Sequence, residues 1–304
     1  MLTCLQINQK LLMNNLEIKK YIFSGHDSFQ CRDLWLKKGF DFIKNGHSFS
    51  DTDAVVKLGV GKNMVSSIKF WLKAFNIIDL NDQLTDFSVR LFDDENGYDP
   101  FLEDEASLWL LHYQLIKNRY ASTYTILFND FRKEKMFFSK KVFTNYIRRI
   151  WNNKISSNYN ENTINRDFGV FTNLYKSNDQ DKSLKDSYSG ILSEIQMLKN
   201  NINSDQDSFY IENSERDNLD ESIVLFAILD NENYGDSISL NSLEFDIDSP
   251  GSIFALNRSG LLNKIGEIVS NSKSITFTDQ AGLKELQFKK KPNKFKVLDK
   301  YYGK

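Results

Sequence analysis

Between Ser50 and Asp93 the chain sets a short helical periodicity, a glycine turn and a longer helical periodicity in a row. Few folds accommodate that order. Ser50 or Asp51 can cap a short helix carrying Ala54, Val55 and Leu58. Gly59-Val60-Gly61 follows as a tight turn, since glycine reaches positive φ at little cost. A second helix is predicted from Lys62 to Phe75. Its apolar residues Val65, Ile68, Leu72 and Phe75 are spaced 3, 4 and 3 and share one face. Asn63, Ser66, Ser67, Lys69 and Lys73 occupy the opposite face, with Lys62 at the start. Ile77–Leu80, a polar turn at Asn81–Gln83 and Leu84–Phe92 read as a two-stranded wing. The combination predicts a winged helix-turn-helix. Its second helix would enter the major groove and offer Lys62, Asn63, Ser66, Ser67, Lys69 and Lys73 to bases and phosphates. The other reading is a winged helix used only for packing or dimer formation.

The remaining sequence reads as mainly α with small β wings, in three parts: 1–96, the winged helix-turn-helix domain; 97–200, a helical domain; and 201–304, a mixed α/β domain. Leu5–Phe23 reads as a short helix or strand. Cys31–Asn45 carries Leu34, Trp35, Phe42 and Ile43 at helical spacing, with Asp27 or Ser28 as its cap. A helix is expected over Ala106–Lys117, with Glu103, Asp104 and Glu105 complementing its dipole. Ser122–Phe131 reads as helical. Phe138–Trp151 reads as a helix capped by Ser139, with Lys140, Lys141, Arg148 and Arg149 on a basic face. Asn162–Lys176 is a further helix. The four bases form either a DNA-facing element or a solvated helix face. Ser177–Ser222 reads as a linker holding one helix, Ser189–Asn200. Ser222–Asp230 is a buried helix or strand. A helix at Ser259–Val269, then strands at Ser274–Phe277 and Lys284–Phe288, suggest a degenerate C-terminal winged helix.

Charge is unevenly distributed. Residues 201–249 hold 13 acids and one base, while Lys284–Lys304 hold eight lysines and two acids. The basic end, interleaved with aromatic residues, suits a phosphate backbone or a solvated tail. The acidic stretch suits protein contacts or electrostatic gating rather than continuous DNA contact. The two cysteines, Cys4 and Cys31, form no CxxC pair, and with three histidines a zinc site is not expected. No signal peptide and no apolar run of ~20 residues is present, so a cytoplasmic protein without membrane contact is expected.

Seven motifs, in order, carry a resemblance to a known family. They are FSGHDSFQCRDLWLKKGFDF (23–42), DAVVKLGVGKNMVSSIKFW (53–71), GYDPFLEDEASLWLLHY (97–113), ASTYTILFNDF (121–131), NTINRDFGVF (162–171), SPGSIFAL (249–256) and FTDQAGLKELQF (277–288). They resemble the domain of unknown function 4007 family over nearly the whole chain. Members sit in bacterial defence loci beside PAPS-reductase-like genes. The nicking component of single-strand DNA phosphorothioation systems is similar to them. The resemblance implies a DNA-binding, DNA-nicking component of a phosphorothioate-modification and phage-defence system. Its partners would be DNA and the PAPS-reductase-like and other sulfur-transfer proteins of the same locus. The alternatives are a non-catalytic adaptor that recruits a sulfur-transfer enzyme to DNA, or a transcriptional regulator.

Phosphodiester cleavage commonly uses carboxylates that hold Mg²⁺, with a His, Lys or Arg nearby. No familiar nuclease signature is present. Two clusters are candidates. In Ser24-Gly25-His26-Asp27-Ser28 with Arg32, His26 suits an acid or base, Asp27 a metal ligand and Arg32 a phosphate clamp. The other reading of this cluster is an N-cap network, with Asp27 or Ser28 capping and His26 packed against the winged helix. Around Pro100, Asp99 and Glu103 suit a shared Mg²⁺ ion or, equally, helix capping. His112, on an apolar helix, reads as a core histidine.

Overall fold

Among the described residues, those within 19–127 and 131–212 pack as one unit, and those within 16–18, 128–130 and 213–304 as another. The structure, a computed structural model, describes Leu16 and residues 18–154, 159–176, 189–202, 207–280 and 282–304. The element expected over Leu5–Phe23 lies mostly outside the described residues, as does much of the expected linker after Ser177.

The larger unit begins with α1 (Trp35–Lys44), α2 (Ala54–Leu58), α3 (Lys62–Ala74) and α4 (Asp86–Phe92). It continues through α5 (Glu105–Lys117), α6 (Ser122–Ile126), α7 (Arg132–Glu134), β1 (Phe137–Phe138), α8 (Lys140–Lys154) and α9 (Glu161–Tyr175). The short strands β2 (Lys199–Asn200) and β3 (Phe209–Tyr210) complete it, with β3 central and antiparallel to β1 and β2. Helix starts follow local capping. Thr85 accepts from the Ser88 amide, Asp104 from Ala106 and Asn160 from Thr163. α5 is buried from Ala106 through Ile116, so it has no solvent stripe and forms the middle of this unit. Trp71, Trp109, Tyr113, Phe131, Phe143 and Tyr175 fill the core.

Three expectations are corrected here. The wing after α3 reduces to one antiparallel bridge, Ile78 to Leu84. The expected second strand is instead α4, because Thr85 caps a helix and Phe87, Leu91 and Phe92 are buried at helical spacing. Ser189–Asn200 is not a helix. Gly190 pairs with Arg32 in a bridge and lies flat on α9, where an added Cβ would come 2.4 Å from Leu174 Cα. Neither Asp27 nor Ser28 caps α1, whose N-cap is Leu34 at φ 63° with no side-chain cap.

In the second unit, α10 (Glu221–Asp230), β4 (Ser237–Ser239), α11 (Leu240–Phe245) and α12 (Pro250–Ile253) lead to α13 (Arg258–Ser270). A hairpin of β5 (Ile275–Gln280) and β6 (Leu283–Phe288) follows, then α14 (Lys294–Tyr301). β6 lies between β4 and β5 and is antiparallel to both, with Leu286 opposite Ile238 and Phe277. Asp220 and Asn257 cap α10 and α13. Gly282 turns the hairpin at φ 82°, a left-handed conformation that glycine adopts without strain. The helix and two strands expected at this end are present, with every boundary within three residues, and Ser222–Asp230 is resolved as helix. Among the described residues no helix is long and apolar enough to cross a membrane.

An ion-pair cluster fastens the end of α1 to the chain after α4. Lys37 pairs with Asp41 and Asp94, and Lys44 with Asp93. The Lys44 ammonium, then the Asn96 and Glu95 amides, hold the Asp93 carboxyl down at about 2. A depressed folded-state value stabilises the protein above the unfolded carboxyl range, and that stabilisation disappears as pH falls towards 2. Asp93→Asn should therefore lower the thermal midpoint at pH 6, and the difference from wild type should vanish near pH 2. A difference independent of pH in melts across that range would reject the ion-pair account.

Candidate nucleic-acid interface

The turn before α1 is built around a buried carboxylate. Asp167 projects from α9 and accepts three hydrogen bonds. The Ser24 amide and His26 Nε2 donate to Oδ1, and Thr123 Oγ1 to Oδ2, each at 2.8 Å. His26 is 2% exposed and Asp167 5%. The imidazole stacks on Trp71 with centroids 5.8 Å apart and meets Phe70 edge-on. Ser24, Gly25, Asp27 and Ser28 all have positive φ, so the backbone winds tightly around the histidine. Asp27 lies at the surface, and Arg32 stacks over the Phe29 and Trp35 rings. The structure thus separates this predicted trio. His26 is inside and committed to Asp167, while Asp27 faces solvent. Asp167 itself was missed by the motif reading. Its signal was an acid on the apolar stripe of Ile164, Phe168 and Phe171.

On α3, Lys62, Asn63 and Ser66 are exposed in the first turn. Ser67 is fully buried, which corrects its expected place on the outer face. It lies next to Ile68 on the side that packs inward. Lys69 and Lys73 both reach Asp82, at 2.7 and 2.8 Å. Burial opposes the Asp82 charge, but hydrogen bonds from the two lysines prevail and lower its carboxyl below the usual value.

Asp99 is buried at the turn before α5. Its Oδ1 and Oδ2 accept the Glu103 and Asp104 amides at 2.9 Å, while Glu103 is exposed. Two carboxyls, one committed to backbone amides, make a poor magnesium donor set. Among the described residues no three His, Cys, Asp or Glu groups converge to hold a metal. His112 is buried, with Nδ1 2.7 Å from the Tyr175 hydroxyl.

Of the basic residues near α8, Lys140, Lys141 and Arg148 line one groove of about 670 Å³ between α8 and α9. Arg148 pairs with Glu161. Arg149 points elsewhere and pairs with Glu134 at 2.8 Å. In the second unit, α13 exposes Arg258, Ser259 and Asn263 beside the β5–β6 hairpin, where Lys284 pairs with Asp279 at 3.0 Å.

These features define a helical protein of two units, each carrying a small antiparallel sheet and a polar, partly basic surface. The chain belongs to the family described as protein of unknown function (DUF4007), whose sequence profile matches residues 23–302. Two solved structures share its fold. A crystal structure of magnesium-ion-bound SspB has a TM-score of 0.81 at 24% identity, covering 92% of this chain and 88% of that one. A second SspB crystal structure has a TM-score of 0.80 at 26% identity, with the same coverage. No curated protein matches the sequence.

Proposed function

We propose that this chain is a DNA-binding component of a bacterial DNA phosphorothioate-modification system. The likeness to SspB and the family membership support that setting. The observation that carries DNA binding is the order α10–β4–α11–α12–α13–β5–β6, with β6 between β4 and β5. Apart from the short α12, that order resembles a winged helix, in which α13 would lie in the major groove and the hairpin beside it. Ser259 and Asn263 would face base edges, and Lys284 a phosphate. The first turn of α3, with Lys62, Asn63 and Ser66, is a second DNA-facing element on the same reading, with Lys69 and Lys73 held behind it by Asp82.

Duplex binding followed by fluorescence anisotropy tests this. Lys284→Ala and Lys62→Ala should each weaken binding and reduce the salt slope by about one unit per lost phosphate contact. Unchanged affinity and slope in both would move the interface elsewhere.

Nicking extends the reading, favoured by the magnesium-bound state of one similar structure. His26, Asp27 and Arg32 are the residues to vary first; Asp99 and Glu103, a poor magnesium donor set, serve as the comparison pair. His26 would act only by holding the 24–28 turn, because its ring is buried. Supercoiled plasmid with Mg²⁺ should yield relaxed circles that EDTA prevents. No relaxed product with Mg²⁺ or Mn²⁺, together with capture of a PAPS-reductase-like protein, would establish the adaptor role instead.

A further inference from the structure

We infer that the groove between α8 and α9 holds a single strand of nucleic acid. The inference rests on the reading of this chain as a DNA-handling protein, but it concerns a different surface from α13 and its hairpin. One wall is a face of α8 with Lys140, Lys141, Thr144 and Arg148. The other is a face of α9 with Glu161, Asn165, Gly169 and Asn173; Glu161 is paired with Arg148, and Asp207 also lines the groove. Thr144 Oγ1 donates to Asn165 Oδ1 at 2.8 Å across the floor. That bond fixes the amide so that its Nδ2 hydrogens are left for an occupant.

Gly169 is the most telling residue. A glycine inside a helix costs ~1 kcal/mol relative to alanine. It is tolerated where backbone strain or space demands it. Gly169 has no positive φ, and a Cβ built on it would meet no atom within 4 Å. Packing therefore does not require glycine here. What its lack of a side chain provides is depth in the groove.

Charge and ring placement point to a nucleic acid strand. Lys140 and Lys141 are exposed at the start of α8, whose dipole also favours anions, and neither is ion-paired among the described residues. Phe209 lines the same groove. Phe137, 50% exposed and outside the groove lining, meets the Tyr210 ring at 5.5 Å and a tilted 55° where the chain enters α8. Lysines beside the half-buried Phe209 ring, with the Asn165 and Asn173 amides opposite, meet phosphate, base face and base edge in turn. A furrow between packed helices, with axes ~8–10 Å apart, admits one strand. A duplex instead receives a whole helix in its major groove, ~12 Å wide.

The test uses the full-length protein, fluorescein-labelled dT20, a 20-base-pair duplex, and dTMP as competitor. Gly169→Met should fill the groove, leave the thermal midpoint equal or higher, and weaken dT20 binding about tenfold or more. Lys140→Gln/Lys141→Gln should weaken it with a smaller salt slope. Duplex binding should be unchanged in both. If dT20 affinity is unchanged in both variants, the groove is not the site. If dTMP displaces dT20 at similar concentrations, the groove takes a mononucleotide and the strand assignment falls. Wild-type protein that binds dT20 but not duplex would sink the winged-helix reading alone. Protein that binds neither would sink both.

Discussion

Replacing Asp167 with alanine should destabilise the larger unit by roughly 3–5 kcal/mol. The carboxylate is buried and is the acceptor for a backbone amide, an imidazole nitrogen and a hydroxyl. Removing it strands two buried donors and one part-buried amide, each costing ~1–3 kcal/mol, with water entry into the vacated space offsetting part of the sum. Asp167→Asn keeps the shape and one accepting oxygen, so it should cost about half as much. All four tryptophans, Trp35, Trp71, Trp109 and Trp151, lie in this unit. Tryptophan fluorescence in urea therefore reports its unfolding separately from that of the second unit, which matters because a two-unit chain is not expected to unfold in one step. An Asp167→Ala midpoint within ~1 kcal/mol of wild type would mean that the turn at Ser24–Ser28 is held by other contacts.

The same region shows what could and could not be read from the chain. Helices marked by a polar cap followed by regular apolar spacing were legible. α5 behind Asp104, α9 behind Asn160 and α13 behind Asn257 all begin within two residues of expectation. The wing after α3 was not, because Leu84–Phe92 carries both a strand-like alternation and a Thr85 cap, and tertiary burial of Phe87 and Leu91 decided for helix. The Ser189–Asn200 segment has apolar residues dense enough for a helix. Its conformation is set by a contact invisible in one sequence, the close approach of Gly190 to the backbone of α9. The C-terminal hairpin was legible from its glycine turn and flanking strands. Its pairing with β4, which sits across an intervening 35 residues from Leu240 to Ser274, was not.

Candidate site residues divide the same way. Residue type flagged His26 and Ser67 as polar groups available for chemistry or DNA contact. Burial gives each a different setting, since a side chain inside the core cannot meet a solvent-borne strand. Lys140, Lys141, Arg148 and Arg149 were grouped on one face by helical spacing alone; the first three line one groove, while Arg149 lies apart from it and pairs with Glu134. The facing amides of α9 needed the packing of two helices to be seen.

Trp71→Ala should cost a further ~3–5 kcal/mol, the usual range for emptying a large aromatic site in a core. The indole is fully buried, donates Nε1–H to the Phe29 carbonyl at 3.0 Å, and packs against Phe75 and Tyr124 as well as His26. The informative measurement is the double variant with Asp167→Ala. Trp71 supports one face of the imidazole and Asp167 fixes its Nε2, so either change alone already loosens His26 and the positive-φ turn it anchors. The second change then has less left to disrupt. The two losses, read by the remaining three tryptophans, should sum to more than the double variant shows, by at least ~0.5 kcal/mol. Strict additivity would mean that His26 does not link them. The strained turn would then be held instead by the backbone of Ile22, which exchanges two hydrogen bonds with Ser122.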